Sequence, residues 1–227
     1  SLIFSDVPGD IVEFIASGPT VKDSTTVAHA KKIIQKYGIE KKFGFIEDGL
    51  IETPKDDKYF KNVKNILLVT NKIALTAMAE RGKELGLKTR IKTGKLQGEA
   101  REVGEKIIRD LDGVPSKTVF LYGGETTVTL RGKGRGGRNQ ELALSALKFL
   151  KNGEIIAAVA SDGRDNSDFA GAICDTITRE RAQKLGLSLD RYLNNNLSYD
   201  FFDKVGDYIS TGDTGSNVSD LVVAFKE

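Results

Sequence analysis

An α/β fold is predicted by three observations. Short runs rich in Ile, Leu and Val alternate with longer segments of helical periodicity, a βαβ pattern is legible over residues 65–93, and glycine-bearing polar loops fall at strand ends. The chain has 227 residues, 39% of them hydrophobic and 29% charged, an ordinary make-up for a globular protein. That length suits one large domain or two smaller ones.

LIFSDV (2–7) reads as a strand running into a loop. It has no initiator Met before it and no earlier element to pair with, so the chain is expected to start inside a larger protein. STTVAHAKKIIQKYG (24–38) predicts a helix: Ser24 or Thr25 caps it, Ile33, Ile34 and Tyr37 form its apolar face, and Gly38 ends it. Residues 39–62 are polar, contain Pro54 and read as a linker. NILLVTN (65–71) predicts a buried strand, IALTAMAERGKELG (73–86) a helix closed by Gly86, and LKTRIKT (87–93) a second strand.

GEAREVGEKIIRDL (98–111) predicts a further helix. TVFLYGGETTVTLRG contains two strand-like runs separated by Gly123–Gly124, the second being Thr126–Leu130. NQELALSALKFLKNG reads as a helix opening near Asn139, and EIIAAVASDG as a strand. RERAQKLG and RYLNNNLSYDFFDKVG look helical. DYISTGDTGSNVSDLVVAFK reads as two strands around a polar turn. The sequence shows no fixed-period repeat.

Composition narrows the function. With 34 basic and 32 acidic residues the net charge is +2, which gives no basic stripe for nucleic acid. No apolar run of about 18 residues exists to span a membrane, and the first residues lack a signal-peptide pattern. The setting is expected to be cytoplasmic. Cys174 is the one cysteine, so an internal disulfide and a cysteine metal cluster are excluded; in AGAICD it reads as a small buried core residue. His29, the one histidine, is expected on a helix surface.

Four loops carry candidate chemistry. GKGRGGR (132–138) interleaves Gly132, Gly134, Gly136 and Gly137 with Lys133, Arg135 and Arg138. Glycines admit close backbone approach, and the helix start near Asn139 offers unpaired N–H groups, so phosphate or carboxylate is the expected guest. Gly132, Gly134 and Gly137 also satisfy G-x-G-x-x-G, with Asp162 in range to serve as a ribose-binding acid. The second loop, ASDGRDNSDFAGA, spaces Asp162, Asp165 and Asp168 three apart, a pattern suited to Mg²⁺ beside phosphate or simply to turns and caps. The third, TGDTGSNVSD (211–220), contains Thr211, Asp213, Thr214 and Asn217. The fourth, SDVPGD…IASGPT, contains Asp6, Asp10 and Ser17. All four lie at strand ends, where open α/β sheets bind ligands.

SDVPGD…IASGPTV, GEAR, GGETTVTLRGKGRGGRNQE, SDGRDNSDFAGA and TGDTGSNVSDL, in that order, resemble the glycerate 2-kinase family, whose C-terminal part is the MOFRL domain. The resemblance covers essentially the whole chain. The acidic loop, usually SDGIDG-like, reads SDGRDN here, and Arg135 stands where Lys is frequent.

The resemblance implies ATP- and Mg²⁺-dependent phosphorylation of D-glycerate at its 2-hydroxyl, in a cleft between two α/β domains. Residues 1–60 would be the tail of a Rossmann-like N-terminal domain plus linker, and 61–227 a MOFRL-type domain. The rest of that N-terminal domain, with a glycine-rich loop and a lysine assigned to the active site, would be a missing partner. The isolated chain is then expected to be inactive and to pair as a homodimer through surface left bare.

In this reading Arg138, aided by Lys133 and Arg135, holds the glycerate carboxylate or the travelling phosphoryl group. Glu125 and Asp162 coordinate Mg²⁺ or position or deprotonate the hydroxyl. Asn139, Thr211, Asp213, Thr214, Asn217, Asp6, Asp10 and Ser17 line the substrate or nucleotide. Two alternatives stand beside it: an NAD(P)H-dependent hydroxypyruvate reductase, motivated by the glycine fingerprint, and a non-catalytic ligand-binding fragment.

Overall fold

The computed structural model describes residues 1–44 and 49–227, and its architecture is mixed α/β, the class predicted. Two compact units divide the chain: Ser1–Ile3 with Ile11–Leu67, and Phe4–Asp10 with Leu68–Glu227. The division falls at Leu67–Leu68, and the whole of SDVPGD goes with the larger unit.

Strands β1 (Leu2–Phe4) and β2 (Ile66–Val69) pair in a two-stranded sheet. In the smaller unit, α1 (Val27–Tyr37) begins one residue later than its expected caps allow. Thr26 caps it, its hydroxyl accepting from the His29 N–H while His29 Nδ1 accepts from the Thr26 N–H. The single histidine is therefore exposed and serves the cap. Gly38 ends the helix with φ at 58°, a left-handed conformation that suits glycine. The expected linker holds a short helix, α2 (Ile39–Phe43), and a 3₁₀ turn at Asp57–Tyr59; residues 45–48 of it lie outside the described residues.

The larger unit is built on a sheet of β3 (Lys88–Leu96), β4 (Thr118–Gly124), β5 (Glu154–Ala160), β6 (Gly171–Cys174), β7 (Tyr208–Ile209) and β8 (Asp220–Lys226). Their order is β3-β4-β8-β5-β6-β7. The β3–β4 pair is parallel, and β8 lies antiparallel between β4 and β5. Its helices are α3 (Asn71–Glu84), α4 (Ala100–Arg109), α5 (Arg138–Leu147), α6 (Thr176–Lys184), α7 (Leu189–Asn194) and α8 (Ser198–Val205).

Burial follows from how these layers stack. Ile107 of α4, Leu142 and Leu147 of α5, and Phe201 and Phe202 of α8 share a core with Phe120, Ile156, Val222 and Ala224 of the sheet. Leu75 and Ala79 of α3 pack on Val119 and Leu121, the residues of β4 that alternate with Phe120 and so face the other way. β4 is consequently buried along its whole length, as a strand covered on both faces must be. β5 alternates buried and half-buried residues, because helices cover one of its faces far better than the other.

Several expectations need correction. The 65–93 pattern is not one βαβ unit in one sheet: β2 pairs with β1, whereas β3 edges the large sheet. β2 is half exposed rather than buried. Thr126–Leu130 forms no strand; its one bridge is Glu99↔Thr127, and the Thr129 N–H and hydroxyl are both satisfied by the Glu99 carboxylate. The helical stretch near residue 195 is two helices, split at Asn196, whose φ is 52°. AGAICD contributes a strand that was not anticipated, β6, in which Cys174 is buried with its thiol donating to the Ala143 carbonyl. The two C-terminal strands do not pair with each other, since β8 lies centrally and β7 at the far edge.

Candidate active site

The glycine-rich loop packs on the protein along one side. The Arg131 and Gly132 N–H groups both donate to Asn196 Oδ1, at 2.6 and 2.9 Å. The Gly134 N–H donates to the Asn195 carbonyl, and the Tyr199 N–H to the Arg135 carbonyl. A Cβ on Gly132 or Gly134 would overlap the backbone of Asn195 and Asn196; one on Gly136 would strike Ser198, and one on Gly137 would strike Asp165. The glycines are there so that the loop can lie flat against the α7–α8 junction.

The helix start is also occupied. Asp165 is buried, and its carboxylate accepts from the backbone N–H groups of Asn139 and Gln140 at 3.1 and 2.8 Å. The side-chain amides of the same two residues donate to it as well, at 3.2 and 3.0 Å. Asp165 thus caps α5 from a loop 26 residues away in sequence from Asn139. Burial nonetheless pushes its pKa up to about 6, outweighing those donors.

The loop cations part company. Arg138, the first residue of α5, sends Nε and Nη2 to the two oxygens of Asp220 at 2.6 and 3.1 Å. Its Nη1 lies 2.6 Å from Glu125 Oε1. Burial opposes the charge on Arg138, but Asp220, Glu125 and Asp165 outweigh it and raise the pKa above the ordinary arginine value. Arg135 pairs with Asp168 at 2.7 Å and lies over the Tyr199 ring. Lys133 is exposed.

The three aspartates of the second loop are not brought together. Asp165 is spent on α5 and Asp168 on Arg135, which leaves Asp162, whose Oδ1 accepts from the Arg164 N–H. Among the described residues no group of three or more His, Cys, Asp or Glu side chains is placed to hold a metal ion. The expected ligand set of Asp162, Asp165 and Asp168 is therefore not assembled, because capping and ion pairing use two of its members.

A cleft of about 780 Å³ opens above these groups. Glu125, Arg138, Asp162, Arg164, Asn196 and Asn217 line it, as do Gly134, Gly136, Gly137 and part of Asp165. Asn217 is tied to Asp6, its Nδ2 donating to Asp6 Oδ2 at 3.3 Å. Asp213 pairs with Arg164 at 2.5 Å. The Thr214 N–H donates to the Asp162 carbonyl and its hydroxyl to Ser161 O. Thr211 bonds locally to the Gly212 carbonyl. Asp10 is not in the cleft: with Lys72 and Lys95 it lines a separate recess of about 230 Å³. Ser17 belongs to the smaller unit and lines recesses there.

Sequence reasoning missed the supports of the site. Asp220 is buried at the start of the central strand β8 and also accepts from Asn139 Nδ2 at 2.9 Å. Burial raises its pKa, with Arg138 opposing. Glu141 is buried on α5, bonded by Arg101 Nη2 at 2.7 Å and by Asn196 Nδ2 at 3.0 Å. The one available hint was that Asp220 ends the polar loop TGDTGSNVSD and Glu141 ends GGRNQE. Their partners lie too far along the chain for any local pattern to reveal.

Comparison with known proteins bears on what this cleft does. A family model described as the MOFRL family matches residues 118–220, and one described as a domain of unknown function, DUF4147, matches residues 1–44. Glycerate 2-kinase of Pyrococcus horikoshii is 42% identical over 98% of this chain and 54% of its own length. A protein of Agrobacterium vitis named putative hydroxypyruvate reductase is 40% identical over 97% of this chain and 53% of its own. The crystal structure of a glycerate kinase from Thermotoga maritima superposes with a TM-score of 0.90 at 37% identity, covering 100% of this chain and 56% of that one. The chain thus spans about half the length of the curated relatives it matches.

Proposed function

We propose that the chain, whose residues 118–220 match the MOFRL family and which is similar to glycerate 2-kinases along its length, is part of an enzyme of that family transferring the terminal phosphoryl group of ATP to the 2-hydroxyl of D-glycerate, giving 2-phosphoglycerate. The observation that carries the proposal is Arg138: a guanidinium at the edge of a cleft, held from behind by buried Asp220 and facing a half-exposed Glu125. Phosphoryl transfer consists mostly of positioning and charge neutralisation, and Arg offers a planar fork to either carboxylate or phosphate. An anionic oxygen of glycerate or of the γ-phosphoryl group competes with Glu125 for the outer edge of Arg138. Displaced, Glu125 is free to orient the 2-hydroxyl and accept its proton as the new O–P bond forms and ADP leaves.

Among the charged side chains lining the cleft, Glu125, Glu141, Asp162 and Asp165 face Arg138 and Arg164. A cleft richer in carboxylate than in cation suits a nucleotide that brings its own metal. Mg²⁺ characteristically takes only one or two protein carboxylates plus phosphate oxygens; Asp162, which lines the cleft, would hold it here. When bound, the ion supplies neutralisation of phosphate charge. The remainder of the active site, cytoplasmic residence and any homodimer belong to the same proposal. Among the described residues no helix is long and apolar enough to cross a membrane.

The reductase reading loses its structural motive. The fingerprint requires a strand ahead of the glycines and free N–H groups at the helix start, whereas Thr126–Leu130 is not a strand and Asp165 fills the helix start. The test is phosphorus NMR of D-glycerate with ATP and Mg²⁺, using the complete gene product that contains this chain, beside a sample of hydroxypyruvate and NADH. A 2-phosphoglycerate signal is expected, and Arg138→Ala should lower turnover at least tenfold, about 1.4 kcal/mol on the barrier. NADH consumption with no phosphoester would overturn the proposal.

A further inference from the structure

Arg138 needs a reason to point where it does. Long side chains on a helix surface sample many rotamers, and fixing one costs entropy. Here two of its nitrogens meet both oxygens of one carboxylate, a bidentate pair that sets the plane of the guanidinium as well as its position. The carboxylate is Asp220, buried, and attached to the strand best placed to hold it still. β8 lies between β4 and β5, with Asp220 opposite Gly124 on one side and Ala160 on the other. Asn139 Nδ2 holds the side chain, and Asn71 Nδ2 donates to the Asp220 carbonyl.

Glu125, by contrast, sits in a loop with its side chain 44% exposed, against 3% for Asp220. One partner is therefore fixed and the other displaceable. A buried ion pair adds little net stability against its desolvation cost, so stability alone is a poor account of a carboxylate placed here.

We infer that Asp220 is a positioning residue: it clamps the Nε–Nη2 edge of Arg138 from inside the sheet, so that the Nη1 edge is presented to an anionic substrate in the cleft. The inference rests on the proposed kinase function for what is presented, but not for the clamp itself. Asp220 touches no reacting atom and acts through Arg138.

The test uses the complete gene product with Asp220→Asn and Asp220→Glu, the second retaining the buried charge in case the first fails to fold. Each is expected to lower kcat for glycerate phosphorylation at least tenfold while leaving the KM for ATP within threefold. In an Arg138→Lys background the same substitutions should cost less than threefold, because the geometry they disturb is already gone. A structural role would instead multiply through, giving the full tenfold in both backgrounds, and that result overturns the inference.

A separate readout needs no activity. The Arg138 Nε–H resonance, identified by its loss in Arg138→Lys, should be protected from solvent exchange in the wild type and exposed in Asp220→Asn. An unchanged resonance overturns the clamp. If the wild type phosphorylates no glycerate yet the resonance behaves as expected, the proposed function falls and the clamp stands.

Discussion

Asp165 shows how one residue can be legible as a type and opaque in its role. An acidic loop after a strand suggested a metal ligand, but the carboxylate closes the α5 N-terminus, where partial positive charge and unpaired N–H groups gather. Its burial is costly enough to raise its pKa to about 6 from an ordinary 3.8. Between those values the folded protein binds more protons than the unfolded one, so this group's contribution to stability falls as pH rises through that window. Full development of the shift corresponds to about 3 kcal/mol. The unfolding free energy of the wild type minus that of Asp165→Asn, measured at pH 4 and pH 7, should therefore decrease by an amount of that order. A difference that is flat, or that grows toward pH 7, would show that burial does not dominate at this carboxylate.

At the scale of elements, the loop at 132–138 and the α7–α8 junction form one packed unit. Gly134 has the backbone carbonyls of Asn195 and Asn196 where a Cβ would go, and neither can swing aside as a flexible side chain would. Gly134→Ala should cost about 1–3 kcal/mol, the usual range for overpacking. Thermal unfolding checks it: a melting temperature equal to the wild type would mean that the loop does not rest on the junction. The same loop marks the limit of sequence reading. Helices such as α1 and α4 announce themselves through periodicity and end signals, because those are local. β6 has four residues and no alternation to detect, and Thr126–Leu130 has strand composition, but its Thr127 N–H goes to the Gly98 carbonyl and its Thr129 N–H to the Glu99 carboxylate. In the site, Arg138, Glu125 and Asp162 were legible as charges at strand and helix ends. Asp220 and Glu141 were not, since their meaning comes from Arg138 and Arg101, 82 and 40 residues away.

At the scale of the whole chain, the two units differ in what holds them. Among the described residues Ile34 is the one buried apolar side chain of the smaller unit, while the continuous core from Phe120 through Val222 and Ala224 lies in the larger. The smaller unit instead leaves Phe14, Tyr37, Phe43 and Ile51 exposed. Resistance to local opening follows buried apolar contact, so the units should open separately and at different cost. In native-state hydrogen exchange on this chain, amides of α1 and α2 are expected to exchange at least about 100-fold faster than those of β4, β8 and α5. Limited proteolysis should cut first within residues 11–67 and leave the larger unit intact. Equal protection across both units would require the smaller one to draw stability from a source other than its own core, and would remove the basis for treating the larger unit, 4–10 with 68–227, as the body that carries the site.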